Sequence, residues 1–184
     1  MGAITKAGMQ FPAGQQPPAE QQQYLTFLLA GEMYSIGILS VKEIIEYGQL
    51  TPVPMMPECV RGVINLRGAV VPIIDLGCRF GRSSASITRR TCIVIIEVEC
   101  NDEHQDIGII VDAVNEVIEI PESQIEAPPA FGTKIRTDFI QGMGKVDGKF
   151  VIILNIAAIL SLEELATLGR APELMPSTPM AVAA

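Results

Sequence analysis

An internal repeat constrains this chain more than any other feature of its sequence. The segment YSIGILSVKEIIE (residues 34–46) lies over IGIIVDAVNEVIE (residues 107–119) without a gap. Ile36 meets Ile109, Val41 meets Val114 and Glu43 meets Glu116. Ile44, Ile45 and Glu46 then meet Val117, Ile118 and Glu119. A second block follows in the same order, RGVINLRGAVVPIIDL (61–76) over QGMGKVDGKFVIILNI (141–156). Here Gly62 meets Gly142, Gly68 meets Gly148 and Asp75 meets Asn155. The offset grows from 73 to 80 residues between the blocks, as a longer surface loop in the second half would require. Ile and Val are common enough here that two β-rich halves would look alike by chance. Glycines matching at both turn positions weigh against chance and for duplication.

The repeated unit is built of strands. TFLL, YSIGIL, residues 70–74, CIVIIEV, IGIIVDAV, VIEI and FVIIL are short apolar runs bounded by Gly, Pro or polar residues. NLRGAV and KVDGKF place a glycine where a tight hairpin needs positive φ, and Asp147–Gly148 is the stronger signal of the two. Hydrophobic residues make up 48% of the chain and aromatics 5%, so the apolar content is mainly aliphatic and suits strands. One helix is expected over residues 155–168, where Ile156, Ile159, Leu160 and Leu162 share a side, with a break near Ser161. The fold class expected is mainly β: two small barrels of about five strands, at about 24–82 and 91–160, packed together because each is marginal alone. Residues 1–22 (GQQPPAEQQQ within them) and 169–184 read as disordered tails around a domain at 23–168.

Composition narrows the function. The net charge of -8 argues against nucleic acid and against docking on an anionic membrane surface. Neither a secretory signal nor a transmembrane run is visible. The four cysteines, Cys59, Cys78, Cys92 and Cys100, include no C-x-x-C pair, and His104 is the only histidine. No zinc site is expected, and the cysteines read as reduced, packed thiols. His104 lies in CNDEHQD, which reads as a solvated hairpin turn. No G-x-S-x-G elbow, P-loop or G-x-G-x-x-G occurs, and no carboxylate spacing specifies a reaction. Asp75 and Asp112 sit beside apolar runs, where they could cap turns.

What remains is a contact surface. Arg61 and Arg67 flank the stretch from Gly62 to Leu66. Arg67 precedes a turn glycine, where its guanidinium could reach a carboxylate, on a partner or within the chain. A small-molecule sensor using the seam between barrels is a second reading, weakened by the low aromatic content. An RNA-binding barrel is a third, weakened by the acidic balance.

The stretch RGVINLRGAVVPIIDL resembles the CheW family of bacterial chemotaxis, whose NLRG turn is followed by a strand ending Pro-Ile-Ile-Asp-Leu. YSIGILSVKEIIEYGQLTPVPMMPECVRG and IGIIVDAVNEVIEI match it in order and spacing, so the resemblance covers about residues 22–168. It implies two SH3-like five-stranded barrels around a shared apolar seam. It implies an adaptor, not an enzyme, that couples chemoreceptors to the histidine kinase CheA and needs no cofactor. The partners implied are the CheW-like regulatory domain of CheA and the cytoplasmic tip of the receptor hairpin. The implied location is the cytoplasm at membrane-associated receptor arrays, with a monomer in isolation. By motif, Val41, Glu43 and Ile44 match one partner-binding segment, and Asn65, Arg67 and Gly68 match the NLRG turn. Arg61 and Gly62 lead into that turn, while Gly108 and Val114 match positions near the receptor-facing groove. The loop at residues 54–57 and the Gln-rich tail depart from the family, leaving open a CheW-like role in another kinase pathway such as pilus motility.

Overall fold

The computed structural model describes residues 21–83, 86–100, 102–129 and 135–161. Its strands are β1 (Gln21–Leu29), β2 (Glu32–Gly37), β3 (Val41–Glu46), β4 (Val60–Leu66) and β5 (Ala69–Asp75) in the first half. The second half has β6 (Cys92–Cys100), β7 (Glu103–Val111), β8 (Ala113–Pro121), β9 (Ile125–Glu126), β10 (Ile140–Val146) and β11 (Lys149–Leu154). Each half ends in a single helical turn, α1 (Leu76–Arg79) and α2 (Ile156–Ile159).

The strands form two sheets, ordered β3-β6-β7-β5-β4 and β8-β1-β2-β11-β10-β9. The repeat is visible strand for strand: β3, β4 and β5 in one sheet occupy the places of β8, β10 and β11 in the other. In both, a hairpin from the opposite half is inserted, β6–β7 in the first sheet and β1–β2 in the second. The barrels expected at 24–82 and 91–160 are therefore not contiguous units; the two halves exchange hairpins. The inserted hairpins meet their hosts through the parallel pairs β5–β7 and β11–β2. The first sheet curls until Thr51, just beyond edge strand β3, bridges Val63 on the opposite edge. β9 makes the matching pairing to β10 in the second sheet.

Three apolar clusters follow from the two-residue period of the strands. Along β6, Ile93 and Ile95 point into the first sheet with Val71, Ile73 and Ile110. Val94, Ile96 and Val98 point the other way, into a larger core shared by both sheets. That double burial explains the unbroken apolar run CIVII, residues 92–96. Tyr24, Ile120 and Ile153 form the small core of the second sheet. Four of the nine aromatic residues line up through the shared seam, Phe27 to Tyr34 to Phe80 to Phe139, with ring centroids 6.3, 5.8 and 6.0 Å apart. Burial, and then the bond that the Tyr34 hydroxyl donates to Glu32, push its pKa up to about 12.

Two local expectations need correction, at the N-terminal tail and at His104. Gln21 and Gln22 belong to β1, paired with Pro121 and Ile120, because β8 offers them a ladder that composition could not reveal. At the C-terminal helix, α2 is a single turn capped by Asn155 through the N–H of Ala158, and it ends at Leu160, beside the break expected near Ser161; residues 162–168 and the other tail residues lie outside the described set. His104 stands in β7 opposite Glu99, still exposed, and the turn falls two residues earlier at Asp102, where φ is +63°. Asp112 interrupts IGIIVDAV as a cap: it accepts from the N–H of Ala30 at 2.7 Å and so holds the β1–β2 turn.

Candidate functional site

The turn joining β4 to β5 has φ of +53° at Arg67 and +89° at Gly68, the left-handed pair that a tight hairpin demands. Asn65 fixes it by accepting from the N–H of Gly68 at 2.9 Å. This geometry projects Arg67 across the mouth of the first sheet to Glu43 on β3, where Nη2 donates to Oε2 at 2.9 Å. β3 and β4 are the two edges of that sheet, so the ion pair ties one edge to the other. Arg67 is 78% exposed and Glu43 25%. A pair this exposed contributes at most about 1 kcal/mol to stability, so its value is positional.

Beside it, Lys42 bonds Asp106 on β7 at 2.8 Å and approaches Glu97 on β6 at 3.4 Å. The bond that Lys42 donates to Asp106 holds the Lys42 pKa above its ordinary value. Lys42, Glu43, Leu66, Arg67, Ala69 and Asp106 line a cleft of about 420 Å³. Exposed apolar side chains flank it in sequence: Ile44 follows Glu43, and Val70 stands three residues beyond Arg67. Their repeat counterparts on the second sheet, Val117 and Phe150, are exposed as well. Both sheets thus carry uncovered apolar residues at the same two places.

The residues expected to meet partners fall into three groups. Glu43, Ile44, Asn65, Arg67 and Gly68 gather at the mouth of the first sheet. Val41 and Val114 lie half-buried against the shared core, at its rim. Arg61, Gly62 and Gly108 serve the interior instead. Arg61 donates from Nε and Nη2 to Asp75, which is 1% exposed, so the cation answers a buried carboxylate. Gly62 has φ of +149° at a bulge, where a Cβ would stand 2.6 Å from the Thr51 carbonyl oxygen. Gly108 is buried under Ile73, Ile93 and Ile95, which fill the space a side chain would need. Its expected place near a receptor-facing groove is thus corrected: it admits close packing and offers no surface.

Sequence reasoning missed Lys42, Asp106, Val70 and Phe150. The alternation along β5 and β11 could have found the last two, since each precedes a buried valine, Val71 or Val151. Lys42 and Asp106 carry no comparable signal, because only the fold brings β3 beside β6 and β7. Among the described residues, no group of three or more Cys, His, Asp or Glu could hold a metal ion.

A protein-family model described as the CheW-like domain matches residues 23–164. The chemotaxis protein CheW of Klebsiella aerogenes is 36% identical over 145 residues, covering 79% of this chain and 85% of that protein. The chemotaxis protein CheW of Treponema pallidum is 34% identical over 151 residues, covering 82% and 89%. The crystal structure of the scaffolding protein TtCheW from Thermoanaerobacter tengcongensis aligns with a TM-score of 0.68 at 37% identity, covering 81% of this chain and 92% of that one.

Proposed function

This chain belongs to the CheW-like family, and from that membership we propose that it couples chemoreceptors to the histidine kinase CheA. It is a chemotaxis adaptor and not an enzyme, so its work is done by surfaces.

The observation that carries the proposal is the Arg67–Glu43 bridge across the mouth of the first sheet. It holds β3, with exposed Ile44, at a fixed distance from the β4–β5 turn, with exposed Val70 beyond it. The regulatory domain of CheA docks against that edge, burying the two apolar residues inside a polar rim. The receptor tip is a helical hairpin and presents an apolar ridge, which suits the seam rim at Val41 and Val114. Receptor and kinase contacts then lie on one rigid body, so a change at one is felt at the other. No helix among the described residues is long and apolar enough to cross a membrane. The proposed location is the cytoplasm, at receptor arrays to which its partners bring it.

Pull-down with purified CheA regulatory domain, and separately with a receptor-tip peptide hairpin, tests this. The wild-type chain is expected to be captured by both. Glu43→Ala or Arg67→Ala should weaken kinase capture about tenfold, equivalent to about 1.4 kcal/mol, in a protein that melts normally. The swap of Glu43→Arg with Arg67→Glu should recover much of the loss if edge spacing is what matters. Capture by neither partner would sink the proposal.

A further inference from the structure

Cys59 and Cys78 meet where β4 begins and α1 winds. Their sulfurs stand 2.7 Å apart, both half-buried. That is closer than thiols merely packed together, and an S–S bond is about 2.05 Å. One residue sets the approach from both sides. The N–H of Asp75 donates to the Cys59 carbonyl at 2.8 Å, and the Asp75 carboxylate accepts from the N–H of Cys78 at 3.2 Å. Asp75 is itself buried and bonded to Arg61. The backbones of both cysteines are thus tied to the same buried residue.

We propose that Cys59 and Cys78 are a redox modification site, closing reversibly to a disulfide when a low-molecular-weight disulfide is available as oxidant. One cysteine loses its proton and its thiolate attacks a sulfur of the oxidant RSSR. A mixed protein–S–S–R disulfide forms and RS⁻ leaves. The second cysteine, deprotonated in turn, attacks the protein sulfur of that mixed disulfide and expels the second RS⁻. The two protons given up by the cysteines end on the two leaving thiolates. The protein loses two hydrogens and two electrons, and RSSR becomes two RSH.

Burial, and then the bond to Cys78, push the Cys59 thiol up to about 12, so it stays protonated at neutral pH. A protonated thiol is a poor nucleophile, so closure is slow at neutral pH and quickens as pH rises. Closure ties the base of the β3–β4 connection to α1. That connection carries the exposed Val53, Met55 and Met56, and Arg61 and Gly62 stand two and three residues beyond Cys59. Cys92 is engaged elsewhere, its thiol donating to the Arg90 carbonyl, and so serves as an internal control.

The test uses the full-length protein, oxidised glutathione and neutral pH. Remaining thiols are alkylated, and the chain is digested with trypsin without reductant. Cleavage after Lys42, Arg61, Arg67 and Arg79 leaves the two cysteines on separate peptides. The expected result is an intact mass lower by two hydrogens, a cross-linked pair of peptides joining Cys59 to Cys78, and Cys92 alkylated. Dithiothreitol should reverse all of it, and the oxidised form should melt higher than the reduced one. Recovery of both cysteines alkylated, glutathione adducts only, or a link through Cys92 or Cys100 would overturn the proposal.

Discussion

Arg61 and Asp75 show what duplication leaves alone and what it changes. The equivalent pair in the second half is Gln141 and Asn155, so a charged couple in one repeat stands as a neutral one in the other. Both Asp75 and Asn155 cap a helical turn, accepting from the backbone N–H three residues on. Only the aspartate must also keep a charge out of water, and Arg61 answers it at 3.1 Å. Removing the cation from a buried carboxylate is costly, whereas exchanging the couple for neutral groups need not be. Arg61→Ala should therefore lower unfolding free energy by about 3 kcal/mol. Gln141→Ala, on an exposed side chain, should cost less than about 0.5 kcal/mol. The double change Arg61→Gln with Asp75→Asn should recover most of the loss in urea titrations. The capping role of Asp75 was legible from its place at the end of an apolar strand. The inward turn of Arg61 was not, because residue type says nothing of which way a side chain faces at a bulge. Gly108 is the sharper case: its neighbours Ile73 and Ile95 come from two other strands, and no local pattern announces them.

Elements were legible wherever a short-range rule fixes them. The Arg67–Gly68 and Asp147–Gly148 turns fall where glycine and its neighbour called for positive φ, and both have it. Short apolar runs that begin at a tight turn, such as β5 and β11, also fall in place. Gln21 and Gln22 were hidden because their pairing comes from β8, about a hundred residues away. α2 ends at Leu160, next to Ser161 where the sequence placed a break, and Asn155 supplies its cap. The β4–β5 hairpin is the element on which the candidate site depends. Asn65→Ala removes the acceptor that holds the Gly68 N–H and should cost about 1 kcal/mol of stability. It should also weaken kinase capture by more than that stability loss explains, since the turn aims Arg67 at Glu43. Asn65→Asp keeps the acceptor and should retain capture. Equal capture by Asn65→Ala and wild type would show that the turn tolerates loosening.

At the scale of the molecule, the exchange of hairpins decides how the chain must fold. Apart from β9–β10, which lies within the second half, the pairings that join one hairpin or strand to the next are β1–β8, β2–β11, β3–β6 and β5–β7. All four cross from one half of the chain to the other. A fragment of residues 21–83 would keep only the β1–β2 and β4–β5 hairpins and the Thr51–Val63 bridge, with β3 left without its β6 ladder. Isolated hairpins are marginal in water. The shared core would be halved as well, because Phe27, Tyr34 and Phe80 come from one fragment and Phe139 from the other. Fragments 21–83 and 86–161, expressed separately, should each lack a cooperative thermal transition and strand-type circular dichroism. Mixed at equal concentration, they should regain both. Two contiguous barrels would behave in the opposite way, each fragment melting alone, and that result would contradict the topology described. The repeat in the sequence could not choose between these outcomes, since swapped and unswapped barrels share the same strands, turns and alternation. They differ only in which copy of a hairpin meets which sheet, and here the connections β2–β3 and β7–β8 make that choice. Each connection is short, three residues at Ile38–Ser40 and a single one at Asp112, and each carries the chain from a strand of one sheet directly into a strand of the other. With so little slack, neither hairpin can fold back onto the sheet that its own half begins.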